Sequence, residues 1–165
     1  MQNAFKDSLK KLNDLNLVNF SNFSQRGIEK ESLRVNDSEI SNSDHPKALG
    51  SALTNPFITT DFSEALLEFI TRKSSTVEKA LDDLKIILTY THQNIDDVIW
   101  PGSVPCSIRD ESKIRIANYG TSNSGKLKEL YRIGLSYRYG SMMQCVSGIH
   151  YNFSLNEDFF KKWQG

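Results

Sequence analysis

Between residues 25 and 35 the chain alternates in the manner of a strand. Read with a period of two, Gly27, Glu29, Glu31, Leu33 and Val35 share one face, and Ile28, Lys30, Ser32 and Arg34 share the other. The first face is anomalous, because two carboxylates stand in line with Leu33 and Val35. Before it, Phe5, Leu9, Leu12 and Leu15 recur at helical spacing and predict an amphipathic helix over residues 4–15. After it, residues 36–46 read as a polar loop. Residues 48–62 read as irregular, with Pro56 disfavouring a helix.

Residues 65–71, ALLEFIT, form a short apolar run that fits a buried strand or a helical turn. The strand is preferred, because RKSS and then a separate helix follow. Ser75 as N-cap with Glu78 three residues on makes a capping box for that helix. Val77, Ala80, Leu81, Leu84, Ile87 and Leu88 give it an apolar face that ends near residue 94. Pro101, Gly102 and Pro105 break the next stretch into a loop or a short edge strand. Ser124 or Asn123 is placed to cap a helix over 125–139, residues 144–155 alternate as a strand, and 156–163 close the chain as a short helix. Strands and helices mix without regular strand–helix–strand alternation. The pattern predicts an α+β fold with a largely antiparallel sheet, in one domain covering residues 1–165.

Composition narrows the function. Lysine plus arginine equals aspartate plus glutamate at 20 each, which argues against nucleic-acid binding as the main task. Two cysteines, Cys106 and Cys145, make neither a disulfide framework nor a zinc cluster. No long apolar run marks a leader or a membrane span, so the expected setting is cytoplasmic. The chain stops soon after a strongly patterned strand, with no polar tail, and is expected to lack a partner segment.

The acids carry the candidate chemistry. Glu29 and Glu31 lie about 7 Å apart along one strand face. Two carboxylates on a partly apolar face are costly to ionise without a cation between them, and oxygen ligands suit Mg²⁺ or Mn²⁺. The plain alternative is a polar sheet edge facing water. Glu68 repeats the anomaly among Leu66, Leu67, Phe69 and Ile70, with Asp61 and Glu64 just upstream. A salt bridge to Arg72 or Lys73 would explain it equally well. In the last strand His150 points with Gln144 and Asn152, opposite Ile149, Tyr151 and Phe153, and Gly148 clears space beside it. A ligand or phosphate contact and a purely structural role both fit this histidine. GTSNSGKL, residues 120–127, nearly matches a phosphate-binding loop, but Leu127 stands where a hydroxyl must hold Mg²⁺. It reads instead as a polar loop capping the next helix.

Taken together, RGIEKESLRV, HPKALGSALTNPFITTDFSEALLEFIT, WPGSVPC, YGTSNSGKLKELYRIGLSYRYG and MQCVSGIHYNFSL resemble the N-terminal part of the proteobacterial type of glutamate–cysteine ligase. The resemblance runs from about residue 25 to the end. It implies a glutamine synthetase-like fold with a curved, mainly antiparallel sheet. It also implies ATP-dependent joining of the glutamate γ-carboxylate to the cysteine amine through a γ-glutamyl phosphate, the first step of glutathione synthesis. Mg²⁺ or Mn²⁺ is the implied metal, with Glu29, Glu31, Asp61 and Glu68 as its ligands and His150 as the histidine near metal and phosphates. Phe62, Tyr131, Leu135, Gln144 and Val146 correspond to the region that receives cysteine. Family members run to several hundred residues, so the chain is expected to be an N-terminal piece, inactive alone without the C-terminal part. A non-catalytic binding module built from half a ligase is the competing expectation.

Overall fold

A single 13-residue strand, β1 (Ser24–Asn36), is the axis around which the sheet is built. The computed structural model describes residues 2–164. Helix α1 (Gln2–Asp14) leads into β1. A tight turn with Asp37 and Ser38 at positive φ then returns the chain as β2 (Glu39–Ile40). β3 (Ile58–Thr60) and β4 (Leu66–Ile70) follow, then α2 (Val77–Gln93), β5 (Val98–Ile99), α3 (Asn123–Tyr139), β6 (Ile149–Leu155) and α4 (Glu157–Gln164). Every ladder among the described residues is antiparallel. β6 pairs with Ser24 to Lys30 and β4 with Glu29 to Leu33, so the two occupy opposite edges of β1 where they overlap. β3 lies beyond β4. The α+β antiparallel prediction holds.

The two faces of the sheet are covered unequally. On the face of Ser32, Leu67 and Phe69, α2 packs through Ile87, Leu84 and Leu88, with Leu49 and Ile58 joining the same cluster. On the other face, Leu33, Val35 and Leu66 are covered by Cys106, Ile114 and Cys145, with Leu135 of α3 against them. That cover stops short of residues 27–31. Leu33 is fully buried while Glu29 and Glu31 on the same face are only partly so. The acids in line with Leu33 and Val35 therefore occupy the open end of a face whose other end is core.

Arg34 fixes the closed end. Its side chain is fully buried, pairs with Asp97 at 2.7 Å, and donates to the carbonyls of Ser43 and Glu64. Glu64, 4% exposed, accepts the backbone N–H groups of His45 and Asn118 at 2.8 Å each. Two loops are thus tied to the sheet by buried charges that have partners.

Several sequence expectations need correction. α2 is capped by Thr76, whose hydroxyl accepts from Lys79 N at 3.2 Å, and not by Ser75. Val77 and Leu81 are exposed, leaving Ala80, Leu84, Ile87 and Leu88 as the inward stripe. α3 starts two residues early, capped by Ser122 through Gly125 N–H. The irregular 48–62 stretch contains β3, whose three β-branched residues are too few to show a period. The last strand begins at Ile149. Gln144 lies in a 3₁₀ turn, Met142–Cys145, so it does not share the strand face of His150. No described helix is long and apolar enough to cross a membrane.

Candidate functional site

The register of three strands brings four predicted residues onto one face. Glu29 stands opposite His150 on β6 and Ile70 on β4, and Glu31 stands directly opposite Glu68. Directly opposed residues in antiparallel strands sit about 4.5–5.5 Å apart at Cα, and like charges there repel. Asp61 follows β3, the strand that pairs with the other edge of β4. Its N–H donates to Leu66 O at 2.9 Å.

Each acid is held differently. Asn152 Nδ2 donates to Glu29 Oε1 at 2.7 Å, and His150 Nδ1 lies 3.3 Å from Glu29 Oε2. Glu31 Oε2 accepts the backbone N–H of Gly148 at 2.7 Å. Space beside Gly148 is tight: a Cβ there would stand 3.2 Å from His150 Nε2 and 3.4 Å from Glu31 Oε2, so both side chains would have to give way slightly. Glu68 and Asp61 have no side-chain hydrogen bond among the described residues. Partial burial of Glu68, reinforced by the charges of Asp61, Glu29 and Glu31, pushes its carboxyl from 4.5 up to about 7; His150 offsets this slightly. The salt bridge offered as an alternative for Glu68 is not made to Arg72, which pairs with Asp83 instead. Lys30 faces away and donates to Ser32 Oγ and Glu31 O.

Four carboxylates near one another with a histidine at the edge match, in residue type, the hard-ligand chemistry of Mg²⁺ or Mn²⁺. As the side chains stand, no three His, Cys, Asp or Glu groups among the described residues converge to ligating distance. What the structure does fix is the strand register that sets Glu29, Glu31, Glu68 and His150 on one face. Beside Glu29 the sheet opens into a groove of about 320 Å³, lined by Gln25, Gly27, Thr71, Lys73, Asn152 and Ser154 among others.

The residues expected to receive cysteine are only partly together. Phe62 is 1% exposed and belongs to the core that Leu135 packs against. Tyr131 on α3 and Val146 are exposed, and Gln144 is half-buried. Sequence reasoning missed Asn152 as a partner of Glu29, although alternation had placed it on the face of His150. It also gave no role to the Gly148 N–H, which no side-chain pattern reveals.

The family model described as Glutamate-cysteine ligase matches residues 9–165. The glutamate–cysteine ligase of Hahella chejuensis is 52% identical over 142 residues, covering 84% of this chain and 27% of the relative. That of Shewanella amazonensis is 48% identical over 161 residues, covering 96% of this chain and 31% of the relative. Among solved structures, the glutamate–cysteine ligase of Francisella tularensis in complex with AMP superposes with a TM-score of 0.81 at 46% identity, covering 84% of this chain and 28% of that one. A bifunctional glutathione synthetase from Pasteurella multocida superposes with a TM-score of 0.79 at 32% identity, covering 94% of this chain and 20% of that one. The chain thus spans between a quarter and a third of the length of these curated relatives.

Proposed function

Because the chain belongs to the glutamate–cysteine ligase family, we propose that it forms the N-terminal part of one ligase catalytic domain and supplies half of its metal-binding face. In this reading Glu29, Glu31, Asp61 and Glu68 hold Mg²⁺ or Mn²⁺. His150, against Glu29, lies where it can orient that carboxylate and meet a phosphate. The reaction is ATP-dependent. The γ-carboxylate oxygen of glutamate attacks the γ-phosphorus of ATP and ADP leaves. The amine of cysteine then attacks the acyl phosphate, loses a proton and expels phosphate, giving γ-glutamylcysteine. A bound divalent ion would neutralise charge on the transferring phosphoryl group.

This chain's residues do the holding. Asn152 and His150 fix the Glu29 carboxylate, and the Gly148 N–H fixes Glu31. Lys73, lining the groove beside Glu29, is a cation placed to meet nucleotide phosphates. Tyr131, Leu135, Gln144 and Val146 form the candidate cysteine side, with Phe62 supporting it from the core. The observation that carries the reading is the strand register that sets Glu31 against Glu68 and Glu29 against His150 on one face, with the raised proton affinity of Glu68 as its consequence. Carboxylates are gathered on one face at an electrostatic cost, and a cation removes that cost.

A chimera tests it. Replacing the corresponding N-terminal segment of the Hahella chejuensis ligase by this chain should give an enzyme that releases phosphate only with glutamate, cysteine and ATP together. Glu29→Gln should then cut turnover by about a hundredfold or more while leaving folding intact. The isolated chain should stay at background. A folded chimera without ligase activity, or one indifferent to Glu29→Gln, would favour the non-catalytic module.

A further inference from the structure

The near-match to a phosphate-binding loop acquires a different role once Tyr119 is followed. Tyr119 is 5% exposed, and its hydroxyl donates to the carbonyl of Thr60 at 2.6 Å and lies 3.1 Å from that of Asp61. Arg132, 9% exposed, donates from Nε to the same Asp61 carbonyl. Its guanidinium stacks 4.7 Å from the centre of the Tyr119 ring, and Lys128, one turn earlier on α3, lies 5.1 Å from that ring. Gly125 lets the start of α3 approach: a Cβ there would stand 2.5 Å from the Tyr119 carbonyl oxygen. The glycine of this motif therefore serves helix packing rather than anion binding.

The consequence is mechanical. The Asp61 backbone is held on both sides, its N–H by Leu66 O and its carbonyl by Arg132 of α3, while the Tyr119 hydroxyl, bonded to the neighbouring Thr60 carbonyl, lies against it. The Asp61 carboxylate itself makes no hydrogen bond among the described residues, so these backbone bonds are what fix the point and direction from which its side chain leaves the chain. We infer that Tyr119 and Arg132 are positioning residues that aim the Asp61 carboxylate at the metal face and couple α3 to it. The inference rests on the proposed metal-binding role of Asp61.

The test is Mn²⁺ binding by the 165-residue chain, followed by electron paramagnetic resonance, in Tyr119→Phe, Asp61→Asn and the double variant. Supporting partners of a metal ligand are worth about ten- to a hundredfold in affinity. Tyr119→Phe should weaken Mn²⁺ binding by about tenfold and have no further effect on top of Asp61→Asn. A merely structural tyrosine would lower thermal stability without this non-additivity. Arg132→Lys, which keeps the charge but loses the planar Nε donor, should behave likewise. Unchanged affinity in both variants, or equal losses with and without Asp61, would overturn the inference and leave the metal site standing. Absence of any Mn²⁺ binding by the unmodified chain would overturn the metal reading and the inference with it.

Discussion

Replacing Glu68 by glutamine should stabilise this protein in chelator at about pH 8, because the side chain is held against three other acids without a cation. The folded-state pKa of Glu68 is raised from 4.5 to about 7. The native state therefore binds the proton more tightly than the unfolded chain does. Its favourable contribution is fully present below about pH 4.5 and is lost as pH rises through about 7. At full strength the shift corresponds to about 3.4 kcal/mol at 1.36 kcal/mol per unit. Glu68 is partly solvated, and screening reduces this to about 1–2 kcal/mol. Glutamine keeps the size and removes the charge. Glu68→Gln should therefore raise the midpoint of thermal unfolding by about 3–6 °C at about pH 8. It should change the midpoint little at about pH 4.5, where glutamate is protonated too. Circular dichroism melts in EDTA at both pH values read this directly. Saturating Mn²⁺ should reverse the order at high pH, because only the unmodified chain keeps the ligand. A variant less stable than the unmodified chain in EDTA at about pH 8 would refute the electrostatic argument.

Other residues give sharp expectations. Arg34→Ala should cost about 3–5 kcal/mol in urea unfolding, since it strands Asp97, 6% exposed at its side chain, without its partner. Gly148→Ala should leave the fold intact but weaken Mn²⁺ binding by about tenfold, as its Cβ crowds His150 and Glu31; unchanged affinity in a calorimetric titration would contradict this. Burial pushes the Cys145 thiol up to about 12, so iodoacetamide at about pH 8 should label it only after denaturation.

The sequence exposed the acid face because strand alternation has a strict period. Glu29, Glu31 and His150 could each be assigned a side of a strand before any partner was known; Glu68 sat in an apolar run with no alternation, and only its ladder with β1 set it on the same face. What stayed hidden depended on contacts between distant segments. Thr76 rather than Ser75 caps α2 because the chain is still paired to β1 at Ser74, through Arg26. β6 starts at Ile149 because the Gly148 backbone is already engaged with Glu31 on β1. Arg34 reads as a surface charge on alternation alone, yet Asp97, 63 residues away, makes it the anchor of a buried network. Phe62 looked like a pocket wall by resemblance and is a core residue here. The glycine of the phosphate-loop decoy owes its presence to Tyr119, a neighbour that the motif itself does not contain.

Titration of ¹⁵N-labelled protein with Mn²⁺ addresses the shared site most directly. Paramagnetic broadening is predicted to appear first, and together, at residues 29, 31, 61, 68 and 150, with Glu29→Gln abolishing it at all five. Broadening scattered over the exposed acids of α2 and α4, with residues 29, 31 and 68 untouched, would contradict the account.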